Sequence, residues 1–145
     1  FVRGKMSVTE MIIYWVVQVA AGVVAALLAS SLLGIAAASP IPFDMTKVVI
    51  AEFLFTFALT FVVLNVATAK GTEGNSFYGL AIGFTVLAGA YAVGSVSGGV
   101  FNPAVGTGVT LLGLLDWTML GIYAVTQLVA GAVAGVIFRV SHPGE

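Results

Sequence analysis

Thirty-three consecutive residues, from Met11 to Phe43, contain no Asp, Glu, Lys or Arg, and a stretch that long cannot be solvated as a surface. Three more such runs occur. Only Glu52 interrupts the interval from Lys47 to Lys70, 22 uncharged residues separate Asp116 from Arg139, and 42 separate Glu73 from Asp116. A membrane-crossing helix needs roughly 20 mostly apolar residues at 1.5 Å rise each, so the spacing predicts spans over 8–33, 46–68, 77–94 and 117–140. Ser7 with Glu10 forms a capping-box pattern, and Asp44 and Asp116 stand where a side-chain acceptor would start a new helix. Charged residues make up 8% of the chain where a soluble surface needs roughly 25%. That excludes a nucleic-acid binder, a disordered tail and an ordinary cytosolic enzyme. With no cysteine and a single histidine, His142, no thiolate metal site, disulfide framework or cofactor is implied, and nothing marks an enzyme.

The interval from Glu73 to Asp116 is the informative one. Its middle, Gly94 to Pro103, is rich in Gly and Ser, and no helix runs smoothly through it. The apolar segment beyond it, 103–115, would be roughly 20 Å long as a helix, short of the roughly 30 Å hydrocarbon core. Irregular backbone at membrane depth survives only where protein or a water-filled cavity satisfies it. A re-entrant loop with a half-helix is therefore expected, the alternative being two ordinary crossings. Counting charges favours the first: with four spans, Arg3, Lys5, Lys70 and Arg139 share one side and Lys47 has the other, as cytoplasmic loops rich in Lys and Arg require. The N-terminus, the Lys70–Asn75 loop and the C-terminus are then cytoplasmic.

The chain also repeats itself. Tyr14 to Ala25 aligns without gaps on Tyr123 to Ala134, with seven identities in twelve, and internal repeats are how many transport folds are built. The offset of 109 would place the counterpart of Asn102 before Phe1, so the sequence reads as the C-terminal part of a longer protein. Gly22 and the Gly131 to Gly135 segment offer small-residue faces for close helix packing, and Gln18 and Gln127 occupy equivalent positions suited to bonds across helices.

The run Ser97 to Val105, containing Asn102-Pro103-Ala104, resembles the Asn-Pro-Ala signature of the aquaporin and glycerol-facilitator (major intrinsic protein) family. Its context is similar as well: an entering helix through Gly79 and Gly83, an acid within the preceding span, and a last helix repeating the first. The resemblance covers essentially the whole chain. It implies an all-α membrane protein, an aquaporin-like helical bundle with inverted repeats, here four transmembrane helices and one re-entrant half-helix in a single domain over 1–145. It further implies a passive channel for water or small uncharged solutes such as glycerol, assembled as a homotetramer among membrane lipids in the plasma or inner membrane, with no nucleic-acid partner. Secondary transport through a broken-helix site, with Glu52 coupling protons, and a non-conducting scaffold are the other readings.

Elementary chemistry gives the motif a purpose. Asn102 is an N-cap and Pro103 takes the first helical position, where a missing N–H costs nothing. The Asn oxygen caps the helix and its NH2 is left as a donor at the positive end of the helix dipole, a site that favours an oxygen lone pair and disfavours cations. Gly98, Gly99, Val100 and Phe101 either run extended with carbonyls facing a lumen or form a flexible turn. Glu52 is an acid inside a span and therefore a functional candidate; the resemblance gives it a role in holding the loop. At the filter the chain departs from the family. Val105 stands where most members carry Arg, and the other visible corners, Ala90 and Gly99, are small, which implies a wider pore.

Overall fold

The computed structural model describes residues 1–34 and 42–144. Helix α1 spans Val8–Leu33, α2 Met45–Thr68, α3 Tyr78–Ser97, α4 Pro103–Leu111 and α5 Trp117–Ser141, with a 3-10 turn at Lys70–Thr72. The described residues form an all-helical molecule, and α1, α2, α3 and α5 are long and apolar enough to cross a membrane. The starts obey local chemistry. Ser7 and Glu10 close a reciprocal capping box, Asp44 accepts from the N–H groups of Thr46 and Lys47, and Asp116 accepts from Met119.

Two helix ends differ from the spacing-based expectation by more than one residue. Helix α3 continues past residue 94 to Ser97 and stops at Gly98, whose φ of 82° ends it in the left-handed region. The half-helix ends at Leu111, so it is nine residues long where 103–115 was expected. Gly113, with φ of 78°, is the cause. Its N–H bonds to Thr110 O and that of Leu114 to Val109 O, the paired closure of a Schellman motif. At 1.5 Å per residue α4 is only about 14 Å long.

Helix α2 is central. It packs against α3 and α5, whereas α4 bridges α1 and α5; among the described residues α1 packs against no helix but α4. Val48, Glu52 and Thr56 are buried at successive turns of α2, and Tyr123, Gln127, Ala130, Ala134 and Phe138 are buried along one stripe of α5. A buried apolar cluster of Val48, Val100, Leu115 and Tyr123 lies at the level of the connection between α3 and α4. Outward faces are apolar: Leu32, Phe84, Tyr91 and Val140 are all exposed. Between lipid and protein there is no hydrophobic driving force comparable to that in water, so close packing and internal hydrogen bonds must hold the helices together. At the α2–α3 turn Asn75 Nδ2 donates to Val66 O and Thr72 O, and Thr72 Oγ1 donates to Asn65 O.

Close packing is visible where α1 crosses α4. A Cβ at Gly22 would run into the carbonyl of Ala104, and one at Gly108 would come within 3.1 Å of the Gly22 carbonyl. In α5 a Cβ at Gly135 would sit 2.9 Å from the Val2 side chain, and Gly131 faces Thr60. Of the two equivalent glutamines, Gln127 is buried and bonded across to α2, while Gln18 is exposed.

Candidate functional site

The site is built around one carboxylate. Glu52 is fully buried in α2 and accepts four hydrogen bonds. Ser97 Oγ (2.7 Å) and Val100 N–H (3.0 Å) donate to Oε1; Phe101 N–H (2.7 Å) and Gln127 Nε2 (2.8 Å) donate to Oε2. A carboxylate has about four acceptor directions, and all four are used, by α3, α5 and the loop. An ionisable side chain at this depth is costly unless it is partnered. Here neutral dipoles do the partnering, two of them backbone N–H groups.

Two further bonds tie the same loop. Tyr123 Oη donates to Ser97 O at 2.6 Å, and Thr56 Oγ1 donates to Phe101 O at 3.4 Å. Replacing Tyr123 by phenylalanine keeps the ring and removes the first of these, so a loss of about 1 kcal/mol in stability is expected, measured as a lower thermal midpoint.

The loop does not run extended. Gly98, Gly99 and Phe101 have φ of 82°, 65° and 54°, and the conformation is strained at Phe101, which has a Cβ. The Phe101 ring is buried against Phe55, 5.5 Å between centroids, in space that a Cβ at Gly89 would occupy. The Phe101 carbonyl is already shared with Thr56, while Gly98 is exposed and Val100 buried. Ala90 and Gly99 are brought together: a Cβ on Gly99 would lie 3.3 Å from the Ala90 Cα. Val105, on the first turn of α4, is exposed.

Asn102 ends this loop with φ −153° and ψ 129°, and its Oδ1 accepts from Ala104 N–H at 2.8 Å. Pro103 takes the first helical position. That bond fixes the amide so that Nδ2 points away from the helix, and no described side chain or carbonyl takes it up. Asn102 borders a cavity of about 830 Å³ together with Gln18 of α1, Thr56 and Thr60 of α2, and Gln127 of α5.

Ser97, Thr56 and Tyr123 escaped the sequence reading. Thr56 lies one turn after Glu52, on the same helix face, which is a legible signal. Ser97 and Tyr123 carry none, because they stand 26 residues apart and meet only in the folded bundle.

Four apolar spans and a short Asn-capped, proline-led helix whose loop hangs on a buried glutamate define a polytopic integral membrane protein, with a mostly apolar cavity bordered by a few polar side chains of α1, α2, α5 and the loop. The family model described as "Major intrinsic protein" matches residues 1–138. The chain belongs to the major intrinsic protein family. It is 38% identical over 109 residues to Aquaporin NIP1-4 of Oryza sativa subsp. japonica, covering 73% of this chain and 40% of that protein. With Aquaporin Z of Brucella melitensis it shares 43% over 100 residues, 66% of this chain and 44% of the relative. With Aquaporin TIP1-1 of Arabidopsis thaliana it shares 32% over 145 residues, 97% and 57%. The chain thus spans about half the length of the curated relatives it matches.

Proposed function

We propose that the chain forms part of a passive channel for water or small uncharged solutes, with Asn102, Pro103 and Ala104 at its polar waist. The observation that carries this reading is the Asn102 amide, whose oxygen is committed to Ala104 N–H and whose NH2 is left for a ligand beside the cavity. A donor fixed at a positive helix end donates to a permeating oxygen and repels cations. Ala90, Gly99 and Val105 are the visible filter corners. None offers a charge or a side-chain hydrogen bond, which favours a wide opening and solutes up to the size of glycerol. Glu52, with every acceptor direction filled, serves as a brace for the loop. A proton carrier would need a free path to solvent. Gly98, Gly99, Val100 and Phe101 supply backbone to the same wall.

The family relationship favours one transmembrane domain, homotetrameric assembly in a plasma or inner membrane, and a cytoplasmic C-terminus, the last supported by the 4:1 distribution of basic residues. The test is stopped-flow light scattering on proteoliposomes holding the protein at its natural full length. Fast shrinkage under an impermeant osmolyte, fast glycerol entry and indifference to a proton gradient are expected. Placing a guanidinium at the filter with Val105→Arg should slow glycerol about tenfold, the effect of roughly 1.4 kcal/mol on the barrier, and slow water less. Flux driven by the proton gradient, or none at all, would overturn the channel.

A further inference from the structure

The Gln127 side chain is 2% exposed, and its two amide atoms have different fates. A carboxylate offers only acceptors, so Nε2 must be the atom facing Glu52 and Oε1 is turned away from it. Oε1 is itself enclosed and finds no hydrogen-bond partner among the described residues. A buried acceptor without a donor is uncommon and points to an unseen ligand, most simply water. Gln127 also borders the large, mostly apolar cavity on which Asn102, Thr56 and Gln18 are among the few polar side chains, and which is far roomier than one water needs. The terminal torsion of a Gln side chain is soft, so the amide plane can rock toward that cavity about its bond to Glu52.

We propose that Gln127 Oε1 is an acceptor subsite of this cavity, binding the O–H of water or of a small hydroxylated neutral solute. Asn102 Nδ2 is a donor on the same cavity, so the two amides present opposite polarities to the molecules inside. A permeant O–H group must trade its hydrogen-bond partners as it moves, and an acceptor on the same cavity as a donor supplies a replacement. Gln127 thereby has two jobs through two atoms: Nε2 braces Glu52 and the loop, and Oε1 meets the permeant. For the solute this rests on the channel reading above; for water it rests on the cavity alone.

The experiment has two arms, both on the full-length protein in lipid. In the first, a density map fine enough to show ordered water is expected to hold a peak at hydrogen-bond distance from Oε1, about 3 Å. In the second, osmotic permeability is compared for wild type, Gln127→Lys and Gln127→Leu. Lysine keeps a donor for Glu52 and has no acceptor; leucine removes both. A several-fold loss of permeability in both variants, with Gln127→Lys eluting and melting like wild type, is the expected result. Gln127→Lys conducting like wild type while Gln127→Leu fails would reduce Gln127 to a brace and overturn the proposal, as would an empty Oε1. If the wild-type protein passes nothing, the channel reading falls, and the density at Oε1 still decides the water site. If Gln127→Lys does not fold, that same density decides.

Discussion

Glu52→Leu is expected to abolish water permeability and to lower stability by about 4 kcal/mol or more, a figure that comes from counting donors. Leucine fills the volume but leaves Ser97 Oγ, the N–H groups of Val100 and Phe101, and Gln127 Nε2 without the acceptor they now share. Each buried donor so orphaned costs about 1–3 kcal/mol, and no water reaches a carboxylate that is fully enclosed. The loss is also directional. Phe101 sits at φ 54°, a conformation that persists only when its surroundings over-determine it, and its N–H bond to Glu52 is, with that of Ser97, the shortest of the four. Without it the residue relaxes and Asn102, its neighbour, turns with it. Glu52→Gln should fall between, because its amide keeps one acceptor oxygen and presents an NH2 to donors on the other side. A thermal scan and proteoliposome swelling on the full-length variants check both effects. Wild-type flux in Glu52→Leu would show that the loop holds its shape by packing alone.

The second large effect is expected at Gly22, where even alanine is too big. The added Cβ would meet the backbone carbonyl of Ala104, and no side chain can rotate out of the way. Helix α1 must then withdraw from α4, the one helix it packs against among those described. Overpacking of this kind costs about 1–3 kcal/mol, and in lipid little compensates, since separated helices are solvated as well by acyl chains as by each other. Gly22→Ala should therefore lower the thermal midpoint, and Gly22→Leu should prevent recovery of a monodisperse full-length protein. The contact is made at Ala104 of the Asn-Pro-Ala sequence, so permeability should fall in Gly22→Ala before folding fails. An unchanged midpoint in Gly22→Ala would mean that α1 and α4 do not cross this closely in the membrane.

Most of the helices could be read directly from residues. The gaps without charge placed four spans within a few residues, because water and lipid sort charged from apolar segments whatever the partners are. Ser7, Asp44, Asn102 and Asp116 marked helix starts, since an N-cap is satisfied within three residues of itself. Two stops were harder. Gly94 looked like the end of α3, and only the pull of Glu52 and Tyr123 on Ser97 explains three more helical residues. Gly113 was one glycine among eighteen, and its left-handed turn closes α4 four residues early.

The sequence by itself determined the solvent, the number of spans, the break at Asn102 and Pro103, and the presence of one acid inside a helix. Each is a property of a short window, in which composition or an N-cap acts on its immediate neighbours. What only the tertiary structure decided is who shares that acid. Ser97, Val100, Phe101 and Gln127 lie 45 to 75 residues from Glu52 along the chain, and nothing local says they converge. The left-handed path of Gly98, Gly99 and Phe101 and the seat of Gln127 Nε2 on Glu52 were settled the same way, by buried polar groups that must find each other inside the bundle.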